Sequence, residues 1–114
     1  MNVLFLCTSN VNRSRTAQEL FSAIDKASKY QSAGLSKKYV EKAGTTLCTE
    51  ELLGWADKIY IFEDFHLERI IHYTGKIHLH KITNLKIEDK YKYFQRELVL
   101  LLLQKLFRNS NVIV

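Results

Sequence analysis

Cys7 and Arg13 are separated by five residues, Thr8-Ser9-Asn10-Val11-Asn12, and Arg13 is followed directly by Ser14. Cysteine, arginine and serine at this spacing suit attack on phosphorus. A thiolate can form a covalent cysteinyl-phosphate, which divides one difficult hydrolysis into two easier steps. A guanidinium fork can donate two parallel hydrogen bonds to phosphoryl oxygens and hold charge as it builds in the transition state. The serine hydroxyl can donate to the sulfur and ease its departure in the second step, although a serine there can equally cap a helix. The backbone N–H groups of Thr8, Ser9, Asn10, Val11, Asn12, Arg13 and Ser14 can supply the rest of an anion-binding nest. The N-terminus of a helix would add favourable partial charge, and the same field favours the thiolate over the thiol.

Such a loop has to be presented by a strand before it and a helix after it. Residues 3–6, Val-Leu-Phe-Leu, form a continuous apolar run, which predicts a strand buried on both faces. After the loop, Ala17, Leu20, Phe21 and Ile24 recur at helical spacing, with Gln18, Glu19 and Asp25 free to face water. Residues 30–33 predict a short edge strand ended by Gly34, and 37–46, charged and containing Gly44, predict a connection. Thr49 is placed to cap a helix with Glu50 and Glu51 in its first turn. A second apolar strand is expected at 59–62, a helix at 64–73, and an alternating edge strand at 77–80. A last helix is expected from about Gln95 to Phe107, and the tail 109–114 is left open. Four strands separated by helices or helix-length connections predict an α/β fold in three layers: a parallel sheet of order 2-1-3-4 with helices on both faces. In such a sheet ligands bind where the winding reverses, beyond the carboxyl end of strand 1, which is where Cys7 stands.

The whole chain sets looser bounds. Its 114 residues, 46% of them hydrophobic, make residues 1–114 a single domain with one core. Lysine and arginine outnumber aspartate and glutamate by 17 to 12, a net charge of +5, which favours anionic partners without selecting among them. Two cysteines are too few for a disulfide framework and have no zinc-site spacing, so a reducing, cytoplasmic setting is expected. No basic leader precedes the first strand, and the apolar stretch at 98–103 is too short to cross a bilayer.

The Cys7 loop resembles the signature loop of the low-molecular-weight protein tyrosine phosphatases, which runs Cys, five residues, Arg, Ser, with an asparagine where Asn10 stands. The resemblance extends over nearly the whole chain, through Ser32-Ala33-Gly34, Leu52-Leu53-Gly54-Trp55-Ala56-Asp57 and Ile87-Glu88-Asp89-Lys90-Tyr91. It looks like a compact, bacterial-type branch of that family. The resemblance implies hydrolysis of phosphotyrosine or another aryl phosphate through Cys7, without metal or other cofactor, and a role for Asn10 in holding the loop's shape. The sequence departs from the pattern at Ser9, where glycine is usual, at Asn12, often a second cysteine, and at Arg15, usually proline.

A poor leaving group needs a proton, and a carboxylic acid on a neighbouring loop can deliver it. Asp89, in a polar loop after the last strand, is the candidate. It matches the family's catalytic aspartate in an Asp-x-Tyr segment, with Lys90 in place of the usual proline, and Glu88 and Glu63 are the fallbacks. Tyr91 and Tyr93 are candidate walls for an aryl substrate. His72, His78 and His80 form the only candidate metal group, and a disfavoured one. The expected partner is a phosphotyrosine-containing protein or a small aryl phosphate, with no membrane and with nucleic acid disfavoured. Competing readings are a catalytically silent phosphate- or nucleic-acid-binding module and, behind it, an arsenate reductase, which would need more cysteines than Cys48 provides.

Overall fold

In a computed structural model, which describes residues 1–110, the chain forms four strands and five α-helices in alternation. Strand β1 (Asn2–Cys7) leads into helix α1 (Arg13–Ile24), and β2 (Lys29–Gly34) into α2 (Lys37–Ala43) and α3 (Glu50–Trp55). Strand β3 (Lys58–Ile61) leads into α4 (Asp64–Thr74), and β4 (Ile82–Asn84) is followed by a long loop and α5 (Arg96–Ser110). The sheet is wholly parallel, in the order β2-β1-β3-β4. The open tail lies partly outside the described residues, from 111 on.

Alternation along β1 divides the core in two. Val3, Phe5 and Cys7 point to one face and pack with Ala17 and Phe21 of α1 and Leu98 and Leu102 of α5. Leu4 and Leu6 point to the other, against Leu53 of α3, Ile59 and Ile61 of β3 and Ile70 of α4. A strand covered by helices on both sides has no place for a polar residue, which explains its continuous apolar run. Removing side chains such as Leu4, Phe5 and Leu6, each 0% exposed, from water stabilises the fold by roughly 1.5–3 kcal/mol apiece.

Two expectations are corrected. Residues 37–46 are not a plain connection, since 37–43 form α2. Ser36 caps that helix by accepting from the Tyr39 amide, and Gly44 ends it at φ 69°, in the left-handed region. The last strand is Ile82–Asn84, not 77–80. Ile77 is 68% exposed, so its alternation with His78 has no buried side to serve, and residues 79–81 tighten into a 3₁₀ turn before Ile82 pairs with Ile59. Beyond β4 the Leu85 and Ile87 amides still donate to the Ile61 and Phe62 carbonyls, at 2.8 and 3.0 Å, so the pairing continues irregularly towards Asp89. Thr49 does cap α3, accepting from the Leu52 amide at 3.2 Å.

Candidate active site

The loop from Cys7 to Arg13 emerges from the carboxyl end of β1 and feeds straight into α1. Asn10 turns it at φ 60°, a left-handed conformation that asparagine tolerates better than most residues. Its side chain is 4% exposed and donates to Ser14 Oγ at 2.8 Å and to Ser32 Oγ at 2.9 Å, while Ser32 in turn donates to Gln18. Because Ser14 Oγ accepts from Asn10, its own hydrogen has two acceptors within reach, Cys7 Sγ at 3.0 Å and the Ala33 carbonyl at 3.5 Å, and the sulfur is the nearer. The Ser14 amide points at the same sulfur from 3.5 Å. Ser14 therefore serves the sulfur and does not cap the helix, whose N-cap position is Asn12.

Close packing of β2 against the loop holds it in place. Leu35 and Ser36 donate their amides to the Cys7 and Thr8 carbonyls at 2.9 and 3.0 Å, and Thr45 donates its hydroxyl to the Ser9 carbonyl. A Cβ on Gly34 would stand 2.8 Å from the Thr8 carbonyl oxygen and 3.0 Å from the Ser9 carbonyl carbon, so only glycine leaves room for the loop.

Arg13 is 1% exposed and carries its charge into this enclosure. Its Nη1 donates to Glu63 Oε2 and to the Ile87 carbonyl, both at 2.8 Å, and its guanidinium lies 5.6 Å from the centre of the Phe62 ring. The other edge of the fork is Nε–Nη2. On it Nε is buried, has no hydrogen-bond partner among the described residues, and lies 3.7 Å from Asp89 Oδ1. A buried arginine with one edge anchored and one open can clamp two oxygens of a phosphoryl group.

No family model matches the sequence, and no curated protein matches it. Solved structures do. A low-molecular-weight protein tyrosine phosphatase from T. tengcongensis is 26% identical over 96% of this chain and 99% of that one, with a TM-score of 0.72. The tyrosine phosphatase Wzb from Escherichia coli K30, in complex with phosphate, is 21% identical over 96% of each chain, with a TM-score of 0.76. A variant of the YwlE arginine phosphatase with a phosphorylated active-site serine is 23% identical over 97% of this chain and 96% of that one, with a TM-score of 0.73. The chain has the low-molecular-weight protein tyrosine phosphatase fold. These neighbours, together with a buried Cys7 at the mouth of the first strand, support a cysteine-based phosphatase activity.

In this phosphatase fold Asp89 stands over the cradle, with its side chain 59% exposed. The loop that carries it has no proline, yet it is held at both ends. Lys105 of α5 donates to the Leu85 carbonyl at 2.7 Å, Ile87 is tied to Arg13, and the Phe94 amide donates to the buried Thr16 hydroxyl at 2.9 Å. Glu88 faces out and comes only within 3.9 Å of Lys90. Tyr91 is half-buried against the core, with Lys90 over its ring at 5.5 Å. Tyr93 turns its hydroxyl to Glu19 of α1, and Arg15 lies 5.3 Å from the centre of its ring. Arg15 of α1 thus packs against the far side of this loop.

Two groups that sequence reasoning passed over take part. Glu63, weighed only as a spare acid, holds Arg13. His66, not weighed at all, is 0% exposed and lies 3.1 Å from Thr8 Oγ1. The signal for both was Glu63-x-x-His66 at the start of a predicted helix. The three histidines that were weighed do not converge, and no group of three metal-ligating side chains occurs among the described residues. Cys48 packs on the α3–α4 face of the sheet, opposite Cys7, and burial pushes its thiol up to about 12. It is no partner for a disulfide with Cys7, which removes the support for the arsenate reductase reading.

Proposed function

We propose that the chain, acting as one domain over residues 1–114, hydrolyses phosphotyrosine or another aryl phosphate monoester through a cysteinyl-phosphate. The observation that carries this reading is Cys7 Sγ, held by the Ser14 hydroxyl at 3.0 Å, beside a buried Arg13 whose Nε has no partner among the described residues. The loop amides and the open Arg13 edge take the phosphoryl oxygens. The Cys7 thiolate attacks phosphorus, the bond to the aryl oxygen breaks, and that oxygen takes its proton from Asp89. Water then attacks the cysteinyl-phosphate, giving its proton back to Asp89, and the sulfur leaves as a thiolate stabilised by Ser14 while inorganic phosphate departs. None of these steps requires a metal. Tyr91 and Tyr93, on the loop that carries Asp89, are the walls this reading assigns to an aromatic leaving group, and the partner is a phosphorylated protein or a small phosphate ester. No helix among the described residues is long and apolar enough to cross a membrane, and two free thiols suit a reducing cytoplasm.

The test is release of phosphate from an aryl phosphate, with the covalent phosphate trapped on Cys7 by rapid acid quench. Cys7→Ser must abolish turnover. Phosphate binding without turnover would favour a silent binding module instead. Turnover of phosphoarginine alone would move the substrate to the class named for the YwlE neighbour.

A further inference from the structure

The imidazole of His66 is wholly enclosed, and each of its nitrogens has a partner. Nδ1 lies 3.3 Å from the Phe62 amide and 3.2 Å from the Glu63 amide. Both of those are donors, so Nδ1 is a bare acceptor, and the ring proton sits on Nε2. From there it is donated to Thr8 Oγ1 at 3.1 Å.

The two sides joined by this ring are the two halves of the proposed site. The 62–63 turn presents the Glu63 carboxylate that holds Arg13 Nη1. Thr8 is the residue after the nucleophile and contributes the first amide of the cradle. We infer that His66 is a positioning residue for phosphate transfer, setting Thr8 beside Cys7 and Glu63 behind Arg13 through a single neutral ring. The Nδ1 bonds complete a capping box at the start of α4, which needs only an acceptor at this position; the bond from Nε2 to Thr8 goes beyond capping, and leaving it unmade in a buried place is costly. The charged groups facing the ring are consistent with it staying neutral. Burial and the Arg13 and Arg69 cations push its pKa down to about 3, and the Glu63 carboxylate is occupied by Arg13.

The inference rests on the phosphatase reading, so its test needs one readout beyond turnover. His66→Asn keeps a carboxamide oxygen near the place of Nδ1, preserving the start of α4, but is too short to reach Thr8. Thr8→Val removes the same bond from the other side with little change of shape. Each variant should lower kcat on an aryl phosphate about tenfold while KM moves less than about threefold. The double variant should be no worse than the singles by more than about twofold, because both remove one interaction. Nitrogen chemical shifts of the wild-type ring should report a protonated Nε2 and a bare Nδ1 from about pH 7 down to about pH 4. A ring protonated on Nδ1, a ring titrating near its ordinary 6.5, wild-type kcat in both single variants, or multiplicative losses in the double variant would each overturn the inference. Should the wild type release no phosphate at all, the phosphatase reading fails, and affinity for inorganic phosphate measured by calorimetry decides the positioning role. A roughly tenfold loss in both variants supports it, and unchanged affinity refutes it.

Discussion

Gly34→Ala is the smallest change that should disturb the catalytic loop without touching any group that does chemistry. The new Cβ would lie 2.5 Å from Val40 Cγ2, 2.8 Å from the Thr8 carbonyl oxygen and 3.0 Å from the Ser9 carbonyl carbon. Two of those three neighbours are loop backbone, and the third is a methyl on a residue only 3% exposed, so no neighbour is a free side-chain end. To reach ordinary contact the Thr8 carbonyl must retreat by about half an ångström, and it is tied to the Ser36 amide at 3.0 Å. Overpacking of this kind costs about 1–3 kcal/mol, which in a chain of this size lowers the melting temperature by roughly 4–15 °C. A shift of that size next to the nucleophile should cost about tenfold in kcat, since a displacement of about 1 Å can cost a hundredfold. The control is Gly54→Ala, where a Cβ meets nothing within 4 Å inside helix α3. It should raise stability by up to about 1 kcal/mol and leave kcat alone. Thermal unfolding and aryl phosphate kinetics measure both effects. A Gly34→Ala variant with wild-type melting and turnover would show that the loop does not depend on this close approach.

Further outcomes follow from the same contacts. Asp89→Ala should lower kcat/KM, which reports the first step, about a hundredfold or more on phenyl phosphate but little on p-nitrophenyl phosphate, whose leaving group needs no proton, while kcat falls on both esters through the shared second step; equal losses of kcat/KM on the two esters would exclude Asp89 as the acid. Asn10→Ala should destabilise the protein by about 2–4 kcal/mol, through two lost buried hydrogen bonds and the strain of φ 60°. Asn10→Gly should recover about 1 kcal/mol of that, and denaturant titration that finds no difference between the two variants would remove the strain term. His66 sets an acid limit. Its folded pKa is depressed to about 3, so its contribution is fully present above about pH 6.5 and is lost as pH falls towards 3, because the unfolded chain takes up a proton that the folded ring refuses. The wild type should lose stability in that window by up to about 1.4 kcal/mol per pH unit more than His66→Asn does. Parallel pH dependence of the two proteins would show that the ring is not held neutral.

What was legible in the sequence is what local pattern can express. A continuous apolar run has to be covered on both sides, so the runs at 3–6 and 59–62 announced β1 and β3, and with them the sheet order and the place of the Cys7 loop. Helix α2 went unread because Lys37, Lys38, Glu41 and Lys42 hide a helix with only Val40 buried, although Ser36 and Gly44 were its cap and stop. Strand β4 was misplaced because an alternation of Ile77, His78, Leu79 and His80 says nothing about whether a neighbouring strand is within reach. The bonds from Arg13 to Glu63 and from Thr8 to His66 cross 50 and 58 residues of chain. At that range a glutamate opening a helix cannot be told from an ordinary end-cap charge.

The parallel order itself explains why those distant residues meet. Every strand of a parallel sheet ends at the same edge, so the segments leaving β1, β2, β3 and β4 converge there, and each brings a different component. From β1 comes the sulfur, from β2 the glycine that admits the loop, from β3 the carboxylate of Glu63, and from beyond β4 the Ile87 carbonyl and Asp89. Arg13 is the residue they share. A cation only 1% exposed is expensive to bury alone, and Glu63, 30% exposed, compensates it from the Nη1 side. That compensation leaves Nε without a hydrogen-bond partner among the described residues, and in the proposed mechanism this is the capacity that a phosphoryl oxygen takes up. A second carboxylate bonded tightly to Nε would stabilise the empty loop more, but it would compete with the dianion. Asp89 instead stands off at 3.7 Å, beyond hydrogen-bonding distance of Nε, which leaves that atom open to the proposed dianion and the carboxyl free for its proposed role as acid.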